Sequence, residues 1–168
     1  MEKAECFFYN VFVMKLTDED VRTIKEELSG YLNHPEVLRM KEYMAHGKKS
    51  VYAHCISVVV TSYKLNKQFK LNADLHTLLV GALLHDLYLY DWHDKPYSLK
   101  IFEMHGYTHP EEARKNAVRI FNVDEDIQKV IKSHMWPLTL RSFPGSKEAA
   151  IICIADKLVA TKETLKRW

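Results

Sequence analysis

Apolar residues recur at spacings of three and four along most of this chain, the period of a helix with one buried face. Val51, His54, Cys55, Val58 and Val59 trace one such stripe, and Ser50 stands before it as an N-cap. Leu75, Leu78, Leu79, Ala82, Leu83 and Leu87 trace a second, with Asn72 as its expected cap. A third runs through Ile127, Val130, Ile131 and His134, started by Asp124 and stopped by Pro137. The last extends from Ala149 to about Leu165 behind Ser146-Lys147-Glu148, with Asp156 inside its apolar run.

Helix-start chemistry supplies the remaining elements. Thr17 precedes Asp18, Glu19 and Asp20, a cap followed by acids that complement the helix dipole, so residues 18–28 should be helical and end near Gly30. Asn33-His34-Pro35 starts a segment reaching about Met44, with proline at the first helical position. His109-Pro110-Glu111-Glu112 starts another that ends near Phe121. The pattern predicts an all-α bundle of about six or seven helices. No repeat or linker divides the chain, so residues 1–168 read as one domain, with the motif-free residues 1–45 as an N-terminal helical cap.

Composition narrows the class. Five glycines and five prolines leave few backbone breakers, which excludes collagen-like and repeat-rich β architectures. With 47% hydrophobic residues, 27% charged residues and a net charge of +2, the chain reads as globular rather than disordered. No stripe of lysine and arginine interleaved with aromatics offers a surface to a nucleic-acid polymer. Cys6, Cys55 and Cys153 are odd in number, widely spaced and free of CxxC pairs. They argue for a reducing compartment, the cytoplasm by default, and against a disulfide framework or a thiolate zinc site. No apolar run reaches the roughly 20 residues of a spanning helix, so no membrane partner is expected. The apolar-rich segment Phe7 to Met14 is expected to be buried against the core. The oligomeric state has no sequence signature.

The candidate chemistry lies in polar residues on apolar faces. His54, His85, His134 and Asp156 all point inward from four different helices. An ionised carboxylate in such a place must be paired or metal-bound, and imidazole with carboxylate suits a first-row divalent metal. A lone inward histidine is ordinarily a core residue, and the His-Asp dipeptide occurs twice, at His85-Asp86 and His93-Asp94, so neither decides alone. The order decides: His54, His85-Asp86, a histidine at 105 or 109, His134, Asp156. Adjacent helical residues point about 100° apart, so His85 and Asp86 reach metal together only if the cations lie in the wedge between them.

This order resembles the H…HD…H…H…D pattern of the HD superfamily of metal-dependent phosphohydrolases, over roughly residues 46–160. The blocks His46-Gly47-Lys48-Lys49-Ser50-Val51-Tyr52-Ala53-His54, Ala82-Leu83-Leu84-His85-Asp86, His105-Gly106-Tyr107-Thr108-His109-Pro110 and Ile154-Ala155-Asp156-Lys157-Leu158 look like those of a little-characterised bacterial branch. The resemblance implies His54, His85, Asp86 and Asp156 as core metal ligands. It adds His109 and His134 as the pair that makes a mononuclear site dinuclear, with Asp86 bridging. His109, just before Pro110, is the preferred third histidine, and His105 is the alternative.

Two divalent ions per chain, drawn from Fe, Mn, Mg, Co, Ni and Zn, would then supply a metal-activated water at Asp86. The substrate class implied is a small phosphate ester, a nucleotide or phosphodiester foremost. Candidate phosphate contacts are Lys157, His46, Lys49 and Ser50, although Lys48 and Lys49 also read as a solvated pair and Ser50 as a cap alone. Tyr88, Tyr90, Trp92, Tyr97 and Met135-Trp136-Pro137 follow proposed ligands and could stack on a nucleobase or simply close the core. His93-Asp94 falls in no block and reads as surface or as support for the ligands, and Arg141 is a loop cation. Two other classes share the ligand set: a dinuclear iron oxygenase of the same superfamily, resembling myo-inositol oxygenase, and a metal-stabilised binding module without turnover. Oxygen uptake with redox-active iron marks the first, and absence of any substrate marks the second.

Overall fold

Most helices of this chain begin where a side chain closes free N–H groups. The computed structural model describes residues 14–45, 49–90 and 105–165, with residues 105 and 106 described by their backbone alone. Helix α1 (Asp18–Glu27) opens with a capping box in which the Thr17 hydroxyl accepts from the Asp20 amide and the Asp20 carboxylate accepts from the Thr17 amide. Helix α2 (Pro35–Arg39) has proline in its first turn. Helix α3 (Val51–Phe69) is capped by Ser50, whose Oγ accepts from Ala53 N at 3.2 Å. Helices α4 (Leu75–Leu84) and α6 (Glu125–Ser133) are capped by Asp74 and Asp124. Helix α5 spans His105–Phe121, and α7 (Lys147–Leu165) starts behind Ser146, whose Oγ accepts from Ala149 N. Among the described residues the sole β feature is an isolated bridge between Met44 and Ser50. The class is all-α.

Four boundaries differ from expectation, each for a local reason. Helix α2 ends at Arg39 rather than near Met44, because the chain turns back to present the Met40 and Tyr43 carbonyls to the Tyr52 and Val51 amides, at 3.1 and 2.8 Å. Those bonds satisfy two orphan donors of α3. The cap of α4 is Asp74, not Asn72, which instead adopts a left-handed φ of 51° in the turn before it. Helix α4 stops at Leu84, short of Leu87, and its C-cap is His85. Helix α5 begins at His105, so His109 lies inside it and Pro110 is an interior residue rather than the first. The segments 7–13 and 91–100, with Cys6, Trp92, His93, Asp94 and Tyr97, lie outside the described residues.

From Leu78 to Leu84 helix α4 is apolar on every side, and these residues are all buried. Such a helix belongs at the centre of a bundle, and α4 packs against α1, α3, α5, α6 and α7. Gly81 permits a close approach to α6 and α7: a Cβ there would sit 2.8 Å from Val130 Cγ1 of α6 and 3.3 Å from Ile152 Cδ1 of α7. Residues before α3 are fastened by Asp20, whose buried carboxylate accepts from the Tyr63 hydroxyl and the Lys67 ammonium of α3. This bundle brings one turn of α3, one turn of α7 and the ends of α4 and α6 to a common point.

Candidate metal centre

Five helices supply the six residues of the ordered pattern. His54 is the fourth residue of α3, and His109 the fifth of α5. His85 and His134 are the C-caps of α4 and α6, and Asp156 lies at the middle of α7. All six are buried: His54 and His85 are 0% exposed, His134 1%, His109 5%, Asp86 7% and Asp156 8%. The wedge demanded by adjacent His85 and Asp86 is met by ending the helix. Helix α4 is over at Leu84, the Asp86 carbonyl accepts from Tyr88 N at 2.8 Å, and Asp86 Oδ2 lies 3.6 Å from His85 Nε2.

Asp86 divides the cluster into two halves. Its Oδ2 faces His54 Nε2 at 3.9 Å and His85 Nε2 at 3.6 Å, while its Oδ1 faces His109 Nε2 at 3.3 Å and His134 Nε2 at 3.6 Å. Asp156 Oδ1 closes the first half, 3.1 Å from His54 Nε2 and 3.8 Å from His85 Nε2. In the second half His109 Nε2 and His134 Nε2 lie 2.8 Å apart. Three overlapping triads therefore have ligand atoms within 4.8 Å of one another: His54, His85 and Asp86; His85, His134 and Asp156; and Asp86, His109 and His134.

The tautomers follow from the outer partners. Carbonyl oxygens accept and never donate, so His85 Nδ1–H donates to Ala82 O at 2.8 Å and His134 Nδ1–H to Ile131 O at 2.7 Å. His54 Nδ1–H donates to Glu163 Oε2 at 2.9 Å. All three Nε2 atoms then point to the centre with a lone pair available for a cation or a proton.

Burial opposes charge on His54, His85, Asp86, His134 and Asp156, yet proximity sorts them. For Asp86, desolvation is overcome by the neighbouring His85 and His109, and for Asp156 by the hydrogen bond with His54 and the nearby His85 ring, so both stay ionised well below the usual carboxylate range. Burial likewise pulls His54 down, but Asp156 and Glu163 carry it up to about 10, and Asp86 holds His85 well above its ordinary value. Burial and the neighbouring His109 and His85 push His134 down to about 3, so its Nε2 is a bare acceptor. Two ionised carboxylates thus sit among imidazoles in a buried setting, where protons on His54 and His85 supply the positive charge that a bound cation would take over. His85 Nε2 and Asp86 Oδ1 are buried atoms with no hydrogen-bond partner. A set of imidazole Nε2 and carboxylate oxygens with two orphaned members, facing one point, fits a divalent cation.

The other predicted residues are placed differently. Ser50 Oγ is engaged as the cap of α3. Lys157 Nζ donates to His134 O at 2.9 Å and to Cys153 O at 3.3 Å, which fixes the end of α6 that carries His134. Lys49 lines a cavity of about 330 Å³ between α3 and α7, together with Lys64, Lys162 and Glu163. His46 and Lys48 lie outside the described residues, as does the side chain of His105, leaving His109 as the described third histidine. Tyr88 meets the His109 ring edge-on at 5.8 Å and Tyr90 at 5.1 Å, closing the cluster's flank. Arg141 follows the cis Trp136–Pro137 bond on the loop between α6 and α7. Sequence reading missed Glu163, whose one signal is its position seven residues after Asp156, two turns along the same helical face.

The family comparison agrees with this geometry. The family model described as HD domain matches residues 51–161, a span that begins at α3 and includes all six clustered residues. No curated protein and no solved structure gave a match. The match covers well over half of the chain, and the chain belongs to the HD-domain family, within a superfamily of metal-dependent phosphohydrolases.

Proposed function

We propose that this protein hydrolyses a small phosphate ester, a nucleotide or phosphodiester, at a centre of two divalent ions. The observation that carries the reading is Asp86, whose two oxygens face two separate histidine pairs, His54 with His85 and His109 with His134. A carboxylate used on both oxygens is what a bridging ligand requires. His54, His85 and Asp156 would hold one ion, His109 and His134 the other, and Asp86 both.

When bound, such ions lower the pKa of a water molecule and neutralise charge developing on phosphoryl oxygens. The chain's part is to hold the ligands in position. The carbonyls of Ala82 and Ile131 and the carboxylate of Glu163 orient three imidazoles, and Lys157 braces the carbonyl of His134. The buried setting keeps bulk water away from Asp86 and Asp156 and strengthens every charge interaction there. Cationic help toward a phosphate is proposed for His46, Lys49 and Lys157, whereas the expected role of Ser50 is not kept, since the Val51, Tyr52 and Ala53 amides of α3 already donate to Tyr43 O, Met40 O and Ser50 Oγ.

The test is elemental analysis of the purified protein followed by phosphate release from a panel of nucleotides and diesters, with and without Mn²⁺. Close to two ions per chain and metal-dependent release abolished by His85→Ala support the proposal. Metal-replete protein inactive across the panel argues against it, and oxygen consumption with bound iron would move the protein to the oxygenase class.

A further inference from the structure

Glu163 belongs to no part of the ligand pattern, yet it is the outer partner of a central histidine. Its side chain is 7% exposed, and its Oε2 accepts from His54 Nδ1 at 2.9 Å. His85 and His134 are braced by neutral carbonyls three residues earlier in their own chain segments. His54 is braced from a different helix and by a charge. A carbonyl fixes a tautomer, whereas a carboxylate also polarises the ring and makes Nε2 a stronger donor to metal. Buried carboxylates are costly unless partnered, so the bond is favourable for Glu163 as well.

We infer that Glu163 is a positioning residue that sets the tautomer and basicity of His54 and thereby tightens cation binding in the half formed by His54, His85 and Asp156. The inference rests on the metal reading above. One side of Glu163 lines the cavity between α3 and α7 with Lys49, Ser57 and Thr61, so a smaller or neutral side chain disturbs that cavity before it disturbs the core.

The test is Co²⁺ titration of chelator-stripped full-length protein against a competing chelator, for the parent, Glu163→Gln and Glu163→Ala. The alanine variant should bind Co²⁺ about 10–100-fold more weakly. The glutamine variant should fall between, because its amide oxygen still accepts from Nδ1–H but carries no charge. Thermal unfolding of the stripped proteins separates a structural role, which lowers stability and leaves the Co²⁺ affinity of the folded protein unchanged. Should the alanine variant not fold, weaker Co²⁺ binding by the glutamine variant sustains the inference. Parent-like affinity in the folded variants overturns it, and a parent that binds no Co²⁺ overturns the metal reading first.

Discussion

Asp86 and His109 occupy unequal positions in the same cluster, and substitution separates them. Replacing Asp86 by asparagine keeps the shape but leaves one oxygen where two were facing histidines. Metal should be lost from both halves. Replacing His109 by alanine removes one contact of the second half alone, 3.3 Å from Asp86 Oδ1, and leaves His54, His85 and Asp156 untouched. About half the parent's metal should remain after chelation and reloading, since one ion keeps its four protein ligands, Asp86 included. Elemental analysis of both variants decides, and equal losses would mean that the two halves are one site. The six clustered residues were legible because few residue types serve as ligands and their order along the chain is restrictive. Glu163 was not, since a glutamate near the end of an amphipathic helix ordinarily reads as part of a solvated face, and only the partner helix reveals what it touches.

At the scale of elements, α4 sets the distance between the two halves of the centre, because it carries His85 on its end and packs against both α6 and α7. Gly81→Ala tests this. On propensity alone the change favours a helix by about 1 kcal/mol. Val130 Cγ1 at 2.8 Å belongs to a short, β-branched side chain that cannot swing away, and Ile152 adds a second contact at 3.3 Å. Overpacking of this kind costs about 1–3 kcal/mol, so a net loss of stability is expected in denaturant unfolding. Weaker metal binding should accompany it, because α6 carries His134. A variant as stable as the parent would show that the helices separate without cost. The starts of α1, α3 and α6 were readable because Thr17, Ser50 and Asp124 cap them with their own side chains. The cap of α4 was misread because Asn72 and Asp74 are both good cappers two residues apart. Lys147 of α7 holds the Leu71 and Asn72 carbonyls in the preceding turn, a tertiary contact with no local signature. The early end of α2 has the same origin, since the Met40 and Tyr43 carbonyls just after it accept from the amides of α3.

At the scale of the molecule, the family span begins at Val51, and the described residues before it must be held to the bundle by contacts of their own. Asp20 of α1 is the main polar one. Oδ1 accepts from Tyr63 OH and Lys67 Nζ, and Oδ2 from the amide and hydroxyl of Thr17, so the capacity of a carboxylate is nearly filled. Hydrogen bonds from Lys67 and the Thr17 backbone outweigh its desolvation and hold its pKa well below the ordinary range. A carboxylate with a depressed folded pKa adds stability above its unfolded pKa, near 4, and loses it as pH falls toward the folded value. Lys67 is about half exposed, with 48% side-chain exposure, so solvent screens its share. Asp20→Asn should therefore cost about 2 kcal/mol at pH 7, less than removal of one member of a fully buried pair. Because the variant cannot ionise, the gap between parent and variant should narrow as pH drops from about 4 to 3. Urea unfolding of the chelator-stripped proteins at pH 7, 4 and 3 measures it, and taking the difference between parent and variant cancels the titration of the central histidines. A gap that stays constant across that range would mean that shape and hydrogen bonding, rather than charge, fasten α1 to α3.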